Sequence, residues 1–173
     1  MSITPDTKDW TWVLDRPCAE CGFDSGDYSR EDVSSNIRAN LAEWQHQLKR
    51  DDVKVRPSAT QWSVLEYGCH VRDVYRVFLE RITLMRTEDD PRFANWDQDQ
   101  TAIDDDYTAQ DPAEVAAELC VAAETLAQLL DAVQGEEWAR RGTRSNGSQF
   151  TIESISIYML HDSLHHLWDV TSV

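Results

Sequence analysis

The chain has 173 residues, 41% hydrophobic and 28% charged, which suits one globular domain with a proper core and excludes a disordered chain. Lys and Arg total 16 against 32 Asp and Glu, and the net charge of −16 repels phosphate backbones and anionic lipid, so no nucleic acid and no membrane partner is expected. Four cysteines do not make a disulfide framework. No stretch reaches the roughly 18 continuous apolar residues of a membrane span. The opening "MSITPDTKDWTW" lacks a basic region followed by an apolar run, so a cytoplasmic location with reduced thiols is the expectation.

Residues 1–28 read as an irregular lead-in, with Trp10, Trp12 and "PCAECGFD" packed on whatever follows. Cys18-x-x-Cys21-Gly22 resembles one knuckle of a zinc ribbon, but no second knuckle exists to supply four ligands. The pair stays open to three readings: an incidental loop pair, a redox dithiol, or a half-site completed by other residues.

Residues 29–173 carry four segments of helical period and read as a single domain. The first runs from about 29 to 50, with Ser29 and Asp32 as a loose capping box and Val33, Ile37, Leu41, Trp44 and Leu48 as its apolar stripe. His46 falls on the polar side of that helix. The second opens on the capping box Ser63-x-x-Glu66 and continues to about Glu88, with Tyr67, His70, Val74, Phe78 and Met85 inward. Asp111 and Pro112 start the third, whose apolar seam runs from Val115 to Val133. The fourth spans about 151 to 170. Cys69 and Cys120 fall in apolar helical patterns.

Four amphipathic helices of this length predict an all-α four-helix bundle. The connection from Asp89 to Gln110 is too long for a hairpin between antiparallel neighbours, so a long crossover is expected between helices 2 and 3.

The last helix contains "YMLHDSLHHLWDV". Residues four apart share a helix face, so His161 and His165 pair on the side of Tyr158, Leu164 and Trp168 and are expected to look inward. His166 goes with Asp162, Ser163 and Asp169, a polar set expected to meet solvent. With His70, the inward imidazoles fit a divalent-metal site with open positions. They fit equally a set of core histidines hydrogen-bonded to Tyr67, Tyr158 or Glu66. Arg140, Arg141 and Arg144 cluster before the last helix, either as surface charges or as a local basic spot for a cofactor carboxylate, for which Arg144 is the candidate. Trp96 and Trp168 are candidates to line a pocket.

"WSVLEYGCHVRDVYRVFLERI", residues 62–82, resembles the second helix of the DinB-like superfamily, whose pattern is W-S-x-x-E-x-x-x-H-x-x-D. "HDSLHHLWDV", residues 161–170, resembles the H-x-x-x-H segment of the last helix in the same families. The resemblance covers nearly the whole chain from Ser29 onward. It implies a bundle of unusual helix order and a divalent metal held by His70, His161 and His165, with zinc first and nickel or iron as alternatives. Relatives of this kind include S-transferases using mycothiol or bacillithiol and a mycothiol-dependent maleylpyruvate isomerase. The implied partners are therefore a small-molecule thiol, of the mycothiol type, and an electrophile. A homodimer is compatible with this reading, as is a non-catalytic metal- or ligand-binding bundle. Glu66, one turn before His70, is the candidate catalytic residue, to orient that imidazole or take a thiol proton. Its competing role is the capping box.

Overall fold

A computed structural model describes residues 9–172. The first eight residues of the expected lead-in and the last residue of the expected domain lie outside the described residues. From residue 9 the lead-in carries two short 3-10 turns, Trp10–Leu14 and Ser25–Asp27, each started by an aspartate. Asp9 accepts from the Thr11 amide at 3.1 Å and Asp24 from the Gly26 amide at 2.9 Å.

Helix α1 is Val33–Gln47. It is shorter than its apolar period because its first turn, Arg30–Asp32, is 3-10. Asp32 accepts from the Ser29 amide and hydroxyl, so the expected box forms around that tighter turn. Helix α2 is Val64–Thr87, closed at its start by the Ser63–Glu66 box. Strand β1 (Arg92–Phe93) and helix α3 (Gln98–Asp104) occupy the long connection. Helix α4 is Pro112–Asp131, with Asp111 as N-cap. Strands β2 (Arg141–Arg144) and β3 (Gln149–Thr151) form a hairpin, and α5 is Ile152–Thr171, capped by Thr151.

Helix α2 packs on α4 and α5, and α1 packs on the same two. Sequence neighbours α1 and α2 therefore sit across the bundle from each other. The neighbours α2 and α4 run parallel, since Arg72 early in α2 donates to Glu118 early in α4 and Arg86 near its end donates to the Ala132 carbonyl, so the long connection carries the chain back along the length of the bundle. The core is Ile37, Trp44, Leu65, Ile82, Leu119, Leu126, Ile155 and Met159, all fully buried. Cys120, expected in an apolar pattern, is exposed one residue beside the buried Leu119.

The small sheet fixes the other end of the connection. β1 pairs parallel with β2, and β2 antiparallel with β3. Gly142 lets β2 approach this closely, since a Cβ there would stand 2.7 Å from both Met85 and Phe93. The result places Trp96, just after β1, and Arg144, at the end of β2, in the wall of one cleft.

Candidate metal centre

A cleft of about 630 Å³ opens beside α5, lined by His161, Asp162, His165, His166 and Asp169 and walled by Trp10, Trp62 and Trp96. The expected trio is not brought together there. The structure distributes it over two neighbouring groups, each with its ligand atoms within 4.8 Å of one another. One group is His70, Asp162 and His166, and the other is Cys18, Cys21, His161 and His165.

The physical reason lies in the lead-in. Asp162 and His166 are also four residues apart, one step of about 100° round the helix from His161 and His165. A helical wheel assigns one of these two adjacent faces to the core and the other to water. Here α5 is covered on both: α2 meets the Asp162–His166 face, and residues 10–28 cover the His161–His165 face. Asp162 and His166 are therefore half-buried in the cleft wall, not solvated on an outer surface.

In the first group His70 Nε2 lies 3.1 Å from Asp162 Oδ1, and His166 Nε2 lies 3.6 Å from the same oxygen. His70 is fully buried, with its ring stacked parallel under Trp96 at 5.4 Å and tilted against Trp62 at 5.5 Å. His166 Nδ1 meets Asp169 Oδ2 at 2.8 Å. A carboxylate only accepts, so His166 Nδ1 carries the proton of that bond, and by the same rule His70 Nε2 donates to Asp162. Burial pushes the Asp162 carboxyl up, but the His70 ring beside it prevails and holds it down at about 2. The group thus presents two imidazoles and a standing negative charge. That donor set fits a divalent metal with open positions, such as zinc, nickel or iron.

In the second group Cys18 Sγ lies 3.7 Å from His165 Nδ1. Cys18, His161 and His165 are buried, and Cys21 is half-buried. Burial, followed by the charge of His165, lowers His161 to about 4, so its ring is neutral. Burial likewise raises the Cys21 thiol to about 11, with Cys18 beside it.

The remaining expected residues divide clearly. Glu66 is buried with its carboxylate accepting from the Ser63 amide at 2.9 Å and from Arg56 through both oxygens. Burial opposes its charge, yet these bonds keep the carboxyl below its usual range. His70 bonds to Asp162 through Nε2 and has no partner at Nδ1, so Glu66 does not orient that ring. Arg140 donates to the carbonyls of Met85 and Glu88 and closes the end of α2. Arg141 is exposed. Arg144 is buried in the cleft wall and donates to Asn146 at 3.0 Å, Ser148 at 3.3 Å and Tyr158 at 3.5 Å. Trp96 lines the cleft, and Trp168 lies against His165 at 5.7 Å.

Asp162, His166 and Asp169 line this cleft, whereas sequence reasoning placed them in a polar set meeting solvent. Their signal was present: "HDSLHH" holds two interleaved pairs at i, i+4, and Asp169 follows three residues after His166.

Comparison with known proteins bears on this arrangement. No curated protein is similar enough in sequence to match. The fold is similar to a solved structure described as "YfiT from Bacillus subtilis is a probable metal-dependent hydrolase with an unusual four-helix bundle topology", with a TM-score of 0.72 and 17% identity, covering 83% of this chain and 86% of that one. A family model described as the DinB superfamily matches residues 35–170, a span that holds all four bundle helices but for the first two residues of α1 and the last of α5, together with His70, Asp162 and His166. The chain belongs to the DinB superfamily.

Proposed function

We propose that the cleft is the active site of a divalent-metal-dependent enzyme acting on a small molecule, with His70, Asp162 and His166 as the metal ligands. The observation that carries this reading is the convergence of two oriented imidazoles and an ionised carboxylate on a cleft of substrate size. A divalent cation held there supplies Lewis acidity, which lowers the pKa of a thiol or a water and provides a nucleophile at neutral pH.

The first choice of chemistry is thiol S-transfer with a thiol of the mycothiol type as co-substrate. The cleft lining supports this choice. Among the described residues it includes six carboxylates, Asp9, Glu20, Asp97, Asp99, Asp162 and Asp169, and one cation, Arg144. Such a lining disfavours polyanionic molecules and suits an uncharged, sugar-bearing thiol, whose apolar ring faces can stack on Trp10, Trp62 and Trp96. Arg144 would anchor a polar group of the thiol or its acceptor opposite the metal ligands. Trp96, over the His70 ring, excludes water from the buried side of the site. Hydrolysis is the second reading, favoured by the similarity to YfiT, whose description names a probable metal-dependent hydrolase.

The test is a comparison of untagged protein with its Asp162→Ala variant, each loaded in turn with zinc, nickel and ferrous iron. Conversion of monochlorobimane with mycothiol and with bacillithiol measures transfer, and a panel of esters and amides without thiol measures hydrolysis. Thiol-dependent turnover lost in the variant is the expected result. Turnover without thiol would replace the first reading by the second. No rate above background with any metal, thiol or ester would overturn both.

A further inference from the structure

We propose that Cys18, Cys21, His161 and His165 form a second metal site, a closed four-ligand centre for zinc that staples the N-terminal segment to α5. Four ligand atoms within 4.8 Å of one another complete a tetrahedral set from the protein alone, unlike the three of the cleft centre. Both spacings, C-x-x-C and H-x-x-x-H, belong to structural zinc. Thiolate and imidazole donors select zinc over magnesium or calcium.

The local backbone is built for the pair. The Gly22 amide donates to the Cys18 carbonyl at 2.9 Å and the Cys18 amide to the Phe23 carbonyl at 2.8 Å. Gly22 makes this turn at φ +77°, a conformation that favours glycine. Two observations at the histidines point independently to a ligand. His161 is 3% exposed, and its Nε2 is buried without a hydrogen-bond partner, a cost that a native core seldom leaves uncompensated. His165 Nε2 faces Glu20 Oε2 at 3.4 Å, so the proton sits on that side and the Nδ1 lone pair points to Cys18 Sγ. Glu20 lies between the two cysteines, and the knuckle therefore carries its own orienting carboxylate.

Charge is balanced as well. Binding one zinc ion releases a proton from each thiol, and the two thiolates cancel the charge of the cation. A neutral centre can sit against Trp10 and Phe23, whose rings lie 5.5 and 5.1 Å from that of His161. The staple also fixes α5 in rotation, which presents Asp162 and His166 to His70 one residue further round.

The experiment uses the full untagged chain, reduced, as wild type, Cys18→Ser/Cys21→Ser and His70→Ala. Cobalt(II) titration should give thiolate-to-cobalt charge-transfer absorption in wild type and in His70→Ala, and none in the double variant. Zinc should protect both thiols of the wild type from iodoacetamide, with release of about two protons per ion. This alkylation result stands even where the double variant fails to fold. Equal alkylation rates with and without zinc, or no thiolate–cobalt band in the wild type, would overturn the proposal. So would recovery of a Cys18–Cys21 disulfide under reducing, zinc-replete conditions. His70→Ala disables the cleft centre alone, so failure of the catalytic reading and failure of this one are separable.

Discussion

Asp169 serves both histidines of the "HH" pair. It accepts from His166 at 2.8 Å and lies 4.0 Å from His165 Nε2. Exchange of its carboxylate for an amide removes the charge that fixes the His166 tautomer and leaves the ring in place. Asp169→Asn is therefore expected to weaken zinc binding at the cleft centre about 10- to 100-fold, the usual cost of losing an orienting partner. Competition against a chromophoric chelator measures it, and an unchanged affinity would show that packing alone holds the ring. At this scale the sequence disclosed which residue types carry the site but not their partners. Helical geometry separated His165 from His166 correctly by about 100°. It could not tell which of the two faces meets α2, because the wheel represents four bundle helices and omits a lead-in that covers one of them. Periodicity has no record of a segment without a period.

At the scale of elements, the caps were the most legible features. Ser63 and Glu66 accept from each other's amides, and Asp111 accepts from the Ala113 and Glu114 amides that follow Pro112, as their residue types require. Strands of two to four residues and a seven-residue helix, by contrast, are too short for a period to declare itself, so β1–β3 and α3 were hidden inside connections. Tertiary bonds hold that connection, and Asp73 is the chief anchor. It accepts from Arg72 Nε and Nη2, each at 2.8 Å, and from the Tyr107 hydroxyl at 2.6 Å, tying the end of the crossover to α2. Burial pushes the Asp73 carboxyl up, but Arg72 and Tyr107 prevail and hold it below its ordinary value. The unfolded chain therefore takes up the proton first on acidification. The contribution of Asp73 is fully present above its unfolded value near 3.8 and is lost as pH falls through the lower folded value. Asp73→Asn is expected to cost about 1.5–3 kcal/mol near neutrality, in the range of a hydrogen bond to a charged group. Urea midpoints of wild type and variant should converge as pH falls below about 4. A gap independent of pH would assign the anchor to shape and not to charge.

For the whole molecule, the net charge of −16 and the cleft belong to one design. Six carboxylates line an opening at whose base the candidate ligands sit. A concave acidic surface concentrates cations, and its field reaches beyond contact distance only when salt is low, since the Debye length falls from about 30 Å at 0.01 M to about 10 Å at 0.1 M. Long-range attraction acts on approach, whereas escape from the bound state is governed by short-range bonds to nitrogen, oxygen and sulfur. Stopped-flow zinc uptake is thus expected to slow steeply between those ionic strengths, with little change in the dissociation rate seen on chelator chase. Neutralising Asp97 and Asp99 together, at the cleft rim and outside both ligand groups, should flatten the salt dependence of uptake while leaving dissociation unchanged. An equal salt effect on both rates would mean that the acidic surface contributes to solubility alone. The charge that turns nucleic acid and anionic lipid away would then have no part in bringing metal to α5.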